Sequence, residues 1–305
     1  MDNQEHLLKT TYQMKFNTDT LKGKVLVSDG AWGTFLQKKG LQPGECPELW
    51  NVTHRDDVLD IARSYIQAGA DMIETNSFGG SRLKLEKYGL AHRTTELNRE
   101  AAAISREAAG PGKWVLGSVG PTGKLLMMDE VTREELYDAF REQAEALEAG
   151  GADAIVVETM TDLEEAVIAV KAARENTILP VICTMTFDKL VTEDYRTMMG
   201  VSPGEMVTPL LEAGASVIGA NCGNGIAGMV DIVKAIRSEN SEVPILVHAN
   251  AGMPVYQDGE TIFPETPCEM ASHAAALVKA GANIIGGCCG TTPEHIRLLK
   301  ESIKS

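Results

Sequence analysis

The sequence lacks long apolar runs and lacks an excess of basic residues, and each absence excludes a class of protein. No apolar stretch in the 305 residues approaches the ~18 residues that a membrane-spanning helix needs. The first residues show no basic segment followed by an apolar one, so no secretory leader is indicated. With 43 acidic against 28 basic side chains, the net charge of −15 argues against nucleic acid and against an anionic membrane surface as partners. We therefore expect a cytoplasmic protein.

Two common site signatures are also missing. No glycine-rich nucleotide motif follows the first predicted strand, and the six histidines form no HExxH pair or other close ligand spacing, so we assign them no catalytic role. The six cysteines carry more information. Structural disulfides are rare in the cytoplasm, which leaves metal binding, redox chemistry or packing as small buried side chains.

A short pattern that recurs four times reveals how the chain is organised. Its copies read AGADMI, GGADAI, AGASVI and AGANII and begin at residues 68, 150, 213 and 280. Each copy follows an amphipathic stretch and precedes an apolar run, as expected for a helix that ends at a glycine and turns into a buried strand. The glycines at 69, 151, 214 and 281 are 82, 63 and 67 residues apart. Each interval accommodates two strand–helix units, so the copies mark alternate strands.

The intervening strands are predicted in four further apolar segments, at 25–28, 114–117, 181–184 and 245–248. Helical segments separate the strands, for example at 56–68, 132–149, 162–175, 204–213, 226–238 and 266–280. Eight apolar strands alternating with helices predict the α/β class and a single (β/α)8 TIM barrel over residues 23–305, preceded by a short N-terminal extension, 1–22. A doubly wound open sheet is the alternative, and the missing nucleotide motif weakens it.

Barrels of this type carry their active sites on the loops after the C-terminal ends of the strands. Three of the six cysteines fall there: Cys222 ends the sixth strand, and Cys288 and Cys289 end the eighth. Three thiolates at one Zn²⁺ leave a tetrahedral position open, which is the catalytic pattern. From the residues alone, a metal site, buried structural cysteines and redox chemistry all stay open. Cys46, Cys183 and Cys268 fit packing better.

Carboxylates lie at the same predicted edge. Glu158 ends the fourth strand, where it can bind a substrate ammonium or act as a base, and a capping box over residues 161–164 is predicted to start the next helix. Asp29, Gly30 and Ala31 follow the first strand, where backbone amides can hold a carboxylate. The glycine-rich loop after the eighth strand has a competing interpretation as a phosphate site, but its two cysteines favour a metal.

Taken together, these segments resemble the homocysteine S-methyltransferase family over about residues 23–303. The motifs that carry the resemblance are DGAWGT at 29–34, ETNSFG at 74–79, GPTG at 120–123, ETMTD at 158–162, TMTFD at 184–188, NC at 221–222, NAG at 250–252 and GGCCGTTPEH at 286–295. The last, with the upstream Asn-Cys pair, is highly specific.

The resemblance implies a zinc-dependent barrel in which Cys222, Cys288 and Cys289 bind Zn²⁺ and homocysteine takes the open position. It further implies that Glu158 binds the substrate ammonium and that the turn Asp29-Gly30-Ala31 holds the carboxylate. Asn221 and Asn250 are expected to orient the substrate or the metal ligands. The product would be methionine.

The methyl donor is the finer question. The segments PELWNVTHRDDV at 47–58 and ETNSFGGSRLKL at 74–85 are closest to the cobalamin-dependent methionine synthase branch, whose barrel is followed by folate, cobalamin and activation domains. Because the sequence ends at Ser305, we expect a stand-alone subunit that receives methyl from methylcobalamin on a separate corrinoid protein. The alternatives are a small donor (betaine, S-methylmethionine or a dimethylsulfonium compound), a non-catalytic zinc scaffold that docks a corrinoid protein, and a hydrolase or lyase using zinc-bound water.

Overall fold

A computed structural model describes residues 16–257 and 259–304 and shows eight parallel strands in a nearly closed barrel. The strands are β1 (Leu26–Val27), β2 (Met72–Glu74), β3 (Trp114–Val119), β4 (Ala154–Met160), β5 (Val181–Met185), β6 (Val217–Gly225), β7 (Ile245–Asn250) and β8 (Ile284–Gly287). Sequential strands are neighbours from β2 to β8, and β8 pairs with β1 in parallel register, Leu26 opposite Ile284. The predicted TIM barrel is confirmed.

Nine helices of six or more residues surround these strands in the described part of the chain. They are α1 (Gly33–Lys39), α2 (Arg55–Gln67), α3 (Thr94–Ala109), α4 (Arg133–Gly150), α5 (Leu163–Asn176), α6 (Val207–Glu212), α7 (Ile226–Glu239), α8 (Pro267–Ala280) and α9 (Pro293–Lys304). Short helical turns lie at Thr18–Leu21, Pro47–Leu49, Trp50–Thr53, Arg82–Leu85, Glu86–Tyr88, Ala91–Arg93 and Leu126–Met128. Two hairpins extend the loops after β5 and β7, at Asp188–Lys189 with Tyr195–Arg196 and at Val255–Gln257 with Glu260–Ile262. Among these helices none is long and apolar enough to cross a membrane.

The four repeats are helix ends that anchor alternate strands, as predicted. Their glycines have φ between 103° and 111°, a left-handed conformation that only glycine adopts without strain. The polar residue two positions later donates its backbone N–H to the preceding strand, Asp71 to Val27 (2.7 Å) and Asn283 to Ile245 (2.8 Å). Its side chain accepts a bond from the same residue in three copies, including Val115 N–H to Asp153 at 2.8 Å. The acidic or amide residue in the repeat therefore sets strand register.

The strands β1 and β2 are neighbours that form no ladder of backbone hydrogen bonds, and we call the gap between them the seam. Two carboxylates bridge the seam. At the N-terminal end, Asp71 holds Val27 and also pairs with Lys300 and Lys113. At the C-terminal end, Asp29 accepts the Glu74 N–H at 3.0 Å. The buried carboxylate of Asp29 thus fixes the C-terminal end of β1 next to β2.

The barrel interior is a separate apolar cluster that contains residues from all eight strands. Phe16 and Leu21, from the predicted N-terminal extension, belong to this cluster and are buried. The ring of Phe16 meets Trp114 edge-to-face at 5.8 Å. Residues 16–21 therefore pack against the barrel, while residues 1–15 lie outside the described chain.

Two local predictions differ from the structure. The helix after β4 begins with Asp162, whose side chain caps the Glu164 and Glu165 N–H groups, so the capping box predicted over 161–164 is wrong. Glu164 pairs with Arg133 instead. The helix α3 is absent from the predicted segments, and its N-cap residue, Arg93, makes no side-chain hydrogen bond to the helix start.

Candidate metal and substrate site

Three sulfur atoms converge at the C-terminal end of the barrel. The Sγ atoms of Cys222, Cys288 and Cys289 all lie within 4.8 Å of one another, and Cys222 and Cys289 are 4.0 Å apart. They come from β6 and from the loop after β8, which are separated by β7. Cys222 reaches the cluster because it has a φ of 59°, at an irregularity in the pairing of β6 with β7.

This donor set fits a tetrahedral thiolate metal site. Zn–S bonds of about 2.3 Å in tetrahedral geometry place ligand sulfurs ~3.8 Å apart, close to the 4.0 Å observed for Cys222 and Cys289. Three protein ligands leave one position for a substrate atom. Among the described residues this is the one group of three or more His, Cys, Asp or Glu side chains with such convergence.

The side chain of Asn221, on β6, links the sulfur cluster to β4 and β5. Its side-chain carbonyl accepts bonds from Thr159 N–H and Thr184 Oγ1, both at 2.7 Å. Its amide nitrogen donates to Thr159 Oγ1 at 2.7 Å and faces Cys288 Sγ at 3.9 Å and Glu158 Oε2 at 3.5 Å. Thr159 has a φ of 60°, a conformation that a β-branched residue adopts only when its surroundings hold it there.

The thiols also hydrogen-bond one another. Bonds from Cys288 and Cys289 lower the pKa of Cys222 to about 3, and a bond from Asn250 contributes in the same direction. The bond to Cys222 raises the pKa of Cys289 to about 12. The three thiols therefore titrate as a coupled group, and a divalent cation bound by them would displace their protons.

A cavity of about 270 Å³ opens beside the sulfurs and contains buried acidic side chains. Glu74, Glu158 and His248 line it, each less than a tenth exposed. Ser118 Oγ donates to Glu158 Oε1 at 2.5 Å, and His248 Nδ1 lies 3.3 Å from Glu74 Oε1. His248 Nε2 has no hydrogen-bond partner among the described residues.

Burial dominates the electrostatics of this cavity. It raises the pKa of Glu158 well above the ordinary value, and the charge of Glu74 adds to the effect. The pKa of Glu74 is raised in the same way, by burial and then by Asp29, whereas burial lowers the pKa of His248. Two acidic groups thus face the cavity without a full cationic partner, which favours a ligand that brings a positive charge.

The turn after β1 also lines this cavity. Gly30 and Ala31 line the cavity, but Asp29 is directed at the seam, where it accepts bonds from Ser28 Oγ (3.0 Å) and Trp32 Nε1 (2.9 Å) as well as Glu74 N–H. The Ala31 N–H donates to Thr291 Oγ1 at 3.0 Å. Asp29 therefore shapes the turn, and the Ala31 amide is already engaged.

Sequence reasoning missed three residues that the fold brings into this site. Glu74 and Thr159 belong to the motifs ETNSFG and ETMTD but have no predicted role, and His248 is among the histidines to which no role is assigned. Their signal was position, because each lies at or next to the C-terminal end of a barrel strand. Cys46 and Cys183 are buried, as predicted for packing residues, whereas Cys268 is exposed, so its interpretation as a packing residue is wrong. All three lie outside the three-sulfur cluster.

Fold and site together define a (β/α)8 barrel with three converging thiols, a group that could hold a metal ion, at the C-terminal end of its strands. A family model described as homocysteine S-methyltransferase matches residues 26–303. The chain belongs to the homocysteine S-methyltransferase family.

Two methionine synthases are similar to most of this chain. That of Mycobacterium tuberculosis is 36% identical over 293 residues, and that of Mycobacterium leprae is 34% identical over 302 residues. The alignments cover 92% and 93% of this chain but only 24% and 25% of those relatives. The chain thus spans about a quarter of the length of the curated relatives it matches.

Solved structures agree on the fold. The metallated form of the homocysteine methyltransferase MmuM from Escherichia coli superimposes with a TM-score of 0.76 at 22% identity, covering 93% of this chain and 99% of that one. Its apo form gives a TM-score of 0.71. At this identity the likeness supports the architecture alone.

The buried charge of Glu158 predicts a pH-dependent stability difference. The pKa of Glu158 in the folded protein lies above 4.5, the ordinary value that applies to the unfolded chain. Between the unfolded-state pKa and the folded-state pKa, the folded protein binds more protons than the unfolded chain, so its stability falls as pH rises. Glu158→Gln keeps an acceptor for Ser118 and removes the charge. We expect it to raise the free energy of unfolding by about 1–3 kcal/mol at pH 8, with the gain vanishing near pH 4.

Urea denaturation from pH 4 to 8, with a chelator present, measures this difference. Glu164→Gln is the matched control, because Glu164 is half-exposed and pairs only with Arg133 at the surface. Parallel pH profiles for wild type and Glu158→Gln would contradict the account.

Proposed function

We propose that this protein transfers a methyl group to the thiol of homocysteine and so forms methionine, with Zn²⁺ held by Cys222, Cys288 and Cys289. The observation that carries the proposal is the placement of three converging sulfurs beside a cavity that is lined by the buried Glu74 and Glu158 and, among the described residues, by no lysine or arginine. Such a cavity suits a ligand with a thiol at one end and an ammonium at the other. Membership of the homocysteine S-methyltransferase family supports the same substrate.

Cys222, Cys288 and Cys289 would hold Zn²⁺, which would lower the proton affinity of a bound substrate thiol and so supply an ionised thiol near neutral pH. The chain's own residues hold that arrangement. Asn221 faces Cys288, and Asn250 bonds to Cys222, so two amides orient the ligand sulfurs.

Recognition of the amino acid falls to the other side of the cavity. Glu158, fixed by Ser118, binds the substrate ammonium, and Glu74 offers a second carboxyl group in the same cavity. The turn that contains Gly30 and Ala31 contacts the carboxylate end, with Asp29 supporting it from behind. Because Asn221 contacts both Glu158 and Cys288, the two ends of the substrate are positioned by one side chain.

In the transfer step the electron pair of the thiolate forms the new S–C bond, and the donor leaves with the electrons of its bond to methyl. The product thioether has no proton to lose and no negative charge, so it binds the site more weakly than the thiolate does. Homocysteine thus enters as a thiol, releases its proton to solvent on binding as a thiolate, and leaves as a neutral thioether.

The zinc assignment predicts that Cys288→Ala loses metal and activity. The variant should retain less than about a tenth of the one zinc per chain expected for wild type, because two sulfurs no longer complete the site. Metal analysis after dialysis measures the zinc content, and a chromophoric chelator measures the affinity.

Cys268→Ala is the control, because Cys268 is an exposed cysteine outside the cluster. It should keep both zinc and activity. Full zinc retention with full activity in Cys288→Ala would overturn the assignment, while zinc without turnover in the wild type would favour the alternative of a non-catalytic scaffold.

For the donor, we propose methylcobalamin carried by a separate corrinoid protein. The support is the similarity to methionine synthases, in which the matched region is about a quarter of the chain, together with the sequence motifs of the cobalamin-dependent branch. The expected cytoplasmic location and the expected absence of nucleic acid and membrane partners stay predictions.

A panel of donors with homocysteine as acceptor tests this assignment. A purified corrinoid protein carrying methylcobalamin should give saturable methionine formation, free methylcobalamin slower turnover, and betaine, S-methylmethionine and dimethylsulfonium compounds none above background. Activity with the small donors alone would refute the corrinoid donor and leave the thiol chemistry intact.

A further inference from the structure

The exposed apolar side chains of this protein are concentrated around the mouth of the cavity. Ten of the fourteen large hydrophobic residues that are exposed in the described part of the chain lie on the three loops after β3, β5 and β7. We call them the apolar rim, and its most prominent members are Met127, Met128, Val191, Met198, Val255 and Tyr256. Val191 is fully exposed and Tyr256 is 77% exposed. An apolar concentration of this kind on an otherwise acidic protein indicates an interaction surface.

The rim is attached to the loops that carry the metal ligands. At the base of the β5 hairpin, the Phe187 carbonyl accepts a bond from Asn224 at 2.6 Å, two residues after Cys222. Below the β7 hairpin, Phe263 fills the space that a side chain at Gly290 would need, next to Cys289. A partner seated on the two hairpins would therefore lie directly above the sulfur cluster.

The rim is continuous between two of its loops. Met127, after β3, and Met199, after β5, line one open groove of about 740 Å³ that passes over the start of α5. Five of the thirteen methionines of the chain, at 127, 128, 198, 199 and 253, are exposed on the three loops. Methionine adapts its shape to a partner, which suits a surface that is occupied transiently.

Unpaired lysines mark the side of the mouth near β2 and β3. Lys84 Nζ and Lys87 Nζ both lie about 3.5 Å from the position of a side chain at Gly123, and Lys124 is the next residue. None of the three takes part in an ion pair among the described residues. In a chain of net charge −15, this arrangement favours a partner with acidic groups opposite the lysines.

From these observations we infer that the apolar rim is the docking surface for the protein that carries the methyl donor. This inference rests on the proposed function. A small donor inside the cavity would touch none of the outward-facing side chains of the hairpins, whereas a protein that delivers methyl to the cavity must cover the rim. The partner surface has an apolar centre and carboxylates at the edge that meets Lys84, Lys87 and Lys124.

Two rim variants and one control test the docking surface. Val191→Ser with Met198→Gln alters the β5 hairpin, and Val255→Ser with Tyr256→Ser alters the β7 hairpin. Each should raise the KM for a purified methylcobalamin-loaded corrinoid protein by about 10-fold or more, while the rate with free methylcobalamin and the zinc content stay unchanged. Ile178→Ser removes an equally exposed residue, 72%, from the opposite end of the barrel and should change nothing.

Each other outcome overturns a defined part of the account. An unchanged KM for both rim variants refutes the docking surface and leaves the corrinoid donor standing. Transfer from free donors but not from the corrinoid protein in the wild type refutes the donor and the surface together. Dissociation of a dimer, or loss of binding to phosphatidylglycerol vesicles, with an unchanged KM would assign the rim to a second copy or to a membrane instead.

Discussion

The hydrogen bonds of one buried amide, Asn221, hold the site together. Its carbonyl is fixed by Thr159 and Thr184, and its nitrogen faces both Cys288 and Glu158. The same group therefore positions Cys288, a proposed metal ligand, together with Glu158, the proposed ammonium ligand, and the ends of β4 and β5. Cys222 directly follows Asn221 in the chain and has a left-handed backbone conformation. The position of the Asn221 amide therefore also affects the shape and charge of the cavity. Such shared positioning explains how an amino acid can be fixed at both ends within one small cavity.

Much of this architecture could be predicted from the sequence because it is local. Each repeat encodes a helix stop at a glycine and a polar residue that fixes the next strand, so strand number and order follow from spacing. The strand ends likewise identified Cys222, Cys288 and Cys289. What escaped prediction depends on which way a side chain points after the strands twist. Asp29 faces the seam instead of the cavity, and His248 faces the cavity although no ligand spacing marks it. The helix after β4 is capped by Asp162, one position after the predicted cap at residue 161, and this shift changes which side chain binds the first N–H groups of the helix.

The cavity brings two chemical environments together. Burial raises the pKa of Glu74 and Glu158, so that these groups gain most from a cationic ligand. The three sulfurs line the same cavity, and the apolar hairpins lie on loops at the same end of the barrel. This arrangement fits the proposed reaction, in which the carboxyl groups bind a charged amino acid, its thiol would be ionised at the metal, and the methyl group is delivered across the rim. Water is best excluded at that step by a protein that covers the rim.

The central claim is that the homocysteine sulfur joins Cys222, Cys288 and Cys289 on one zinc ion. Zinc K-edge X-ray absorption of the zinc-loaded protein, with and without homocysteine, tests it most directly. The account predicts three sulfur ligands at about 2.3 Å and one lighter ligand in the free protein, changing to four sulfur ligands when homocysteine is added. Homoserine, which has a hydroxyl in place of the thiol, should leave the sulfur number at three. A sulfur number that stays at three with saturating homocysteine would contradict the account.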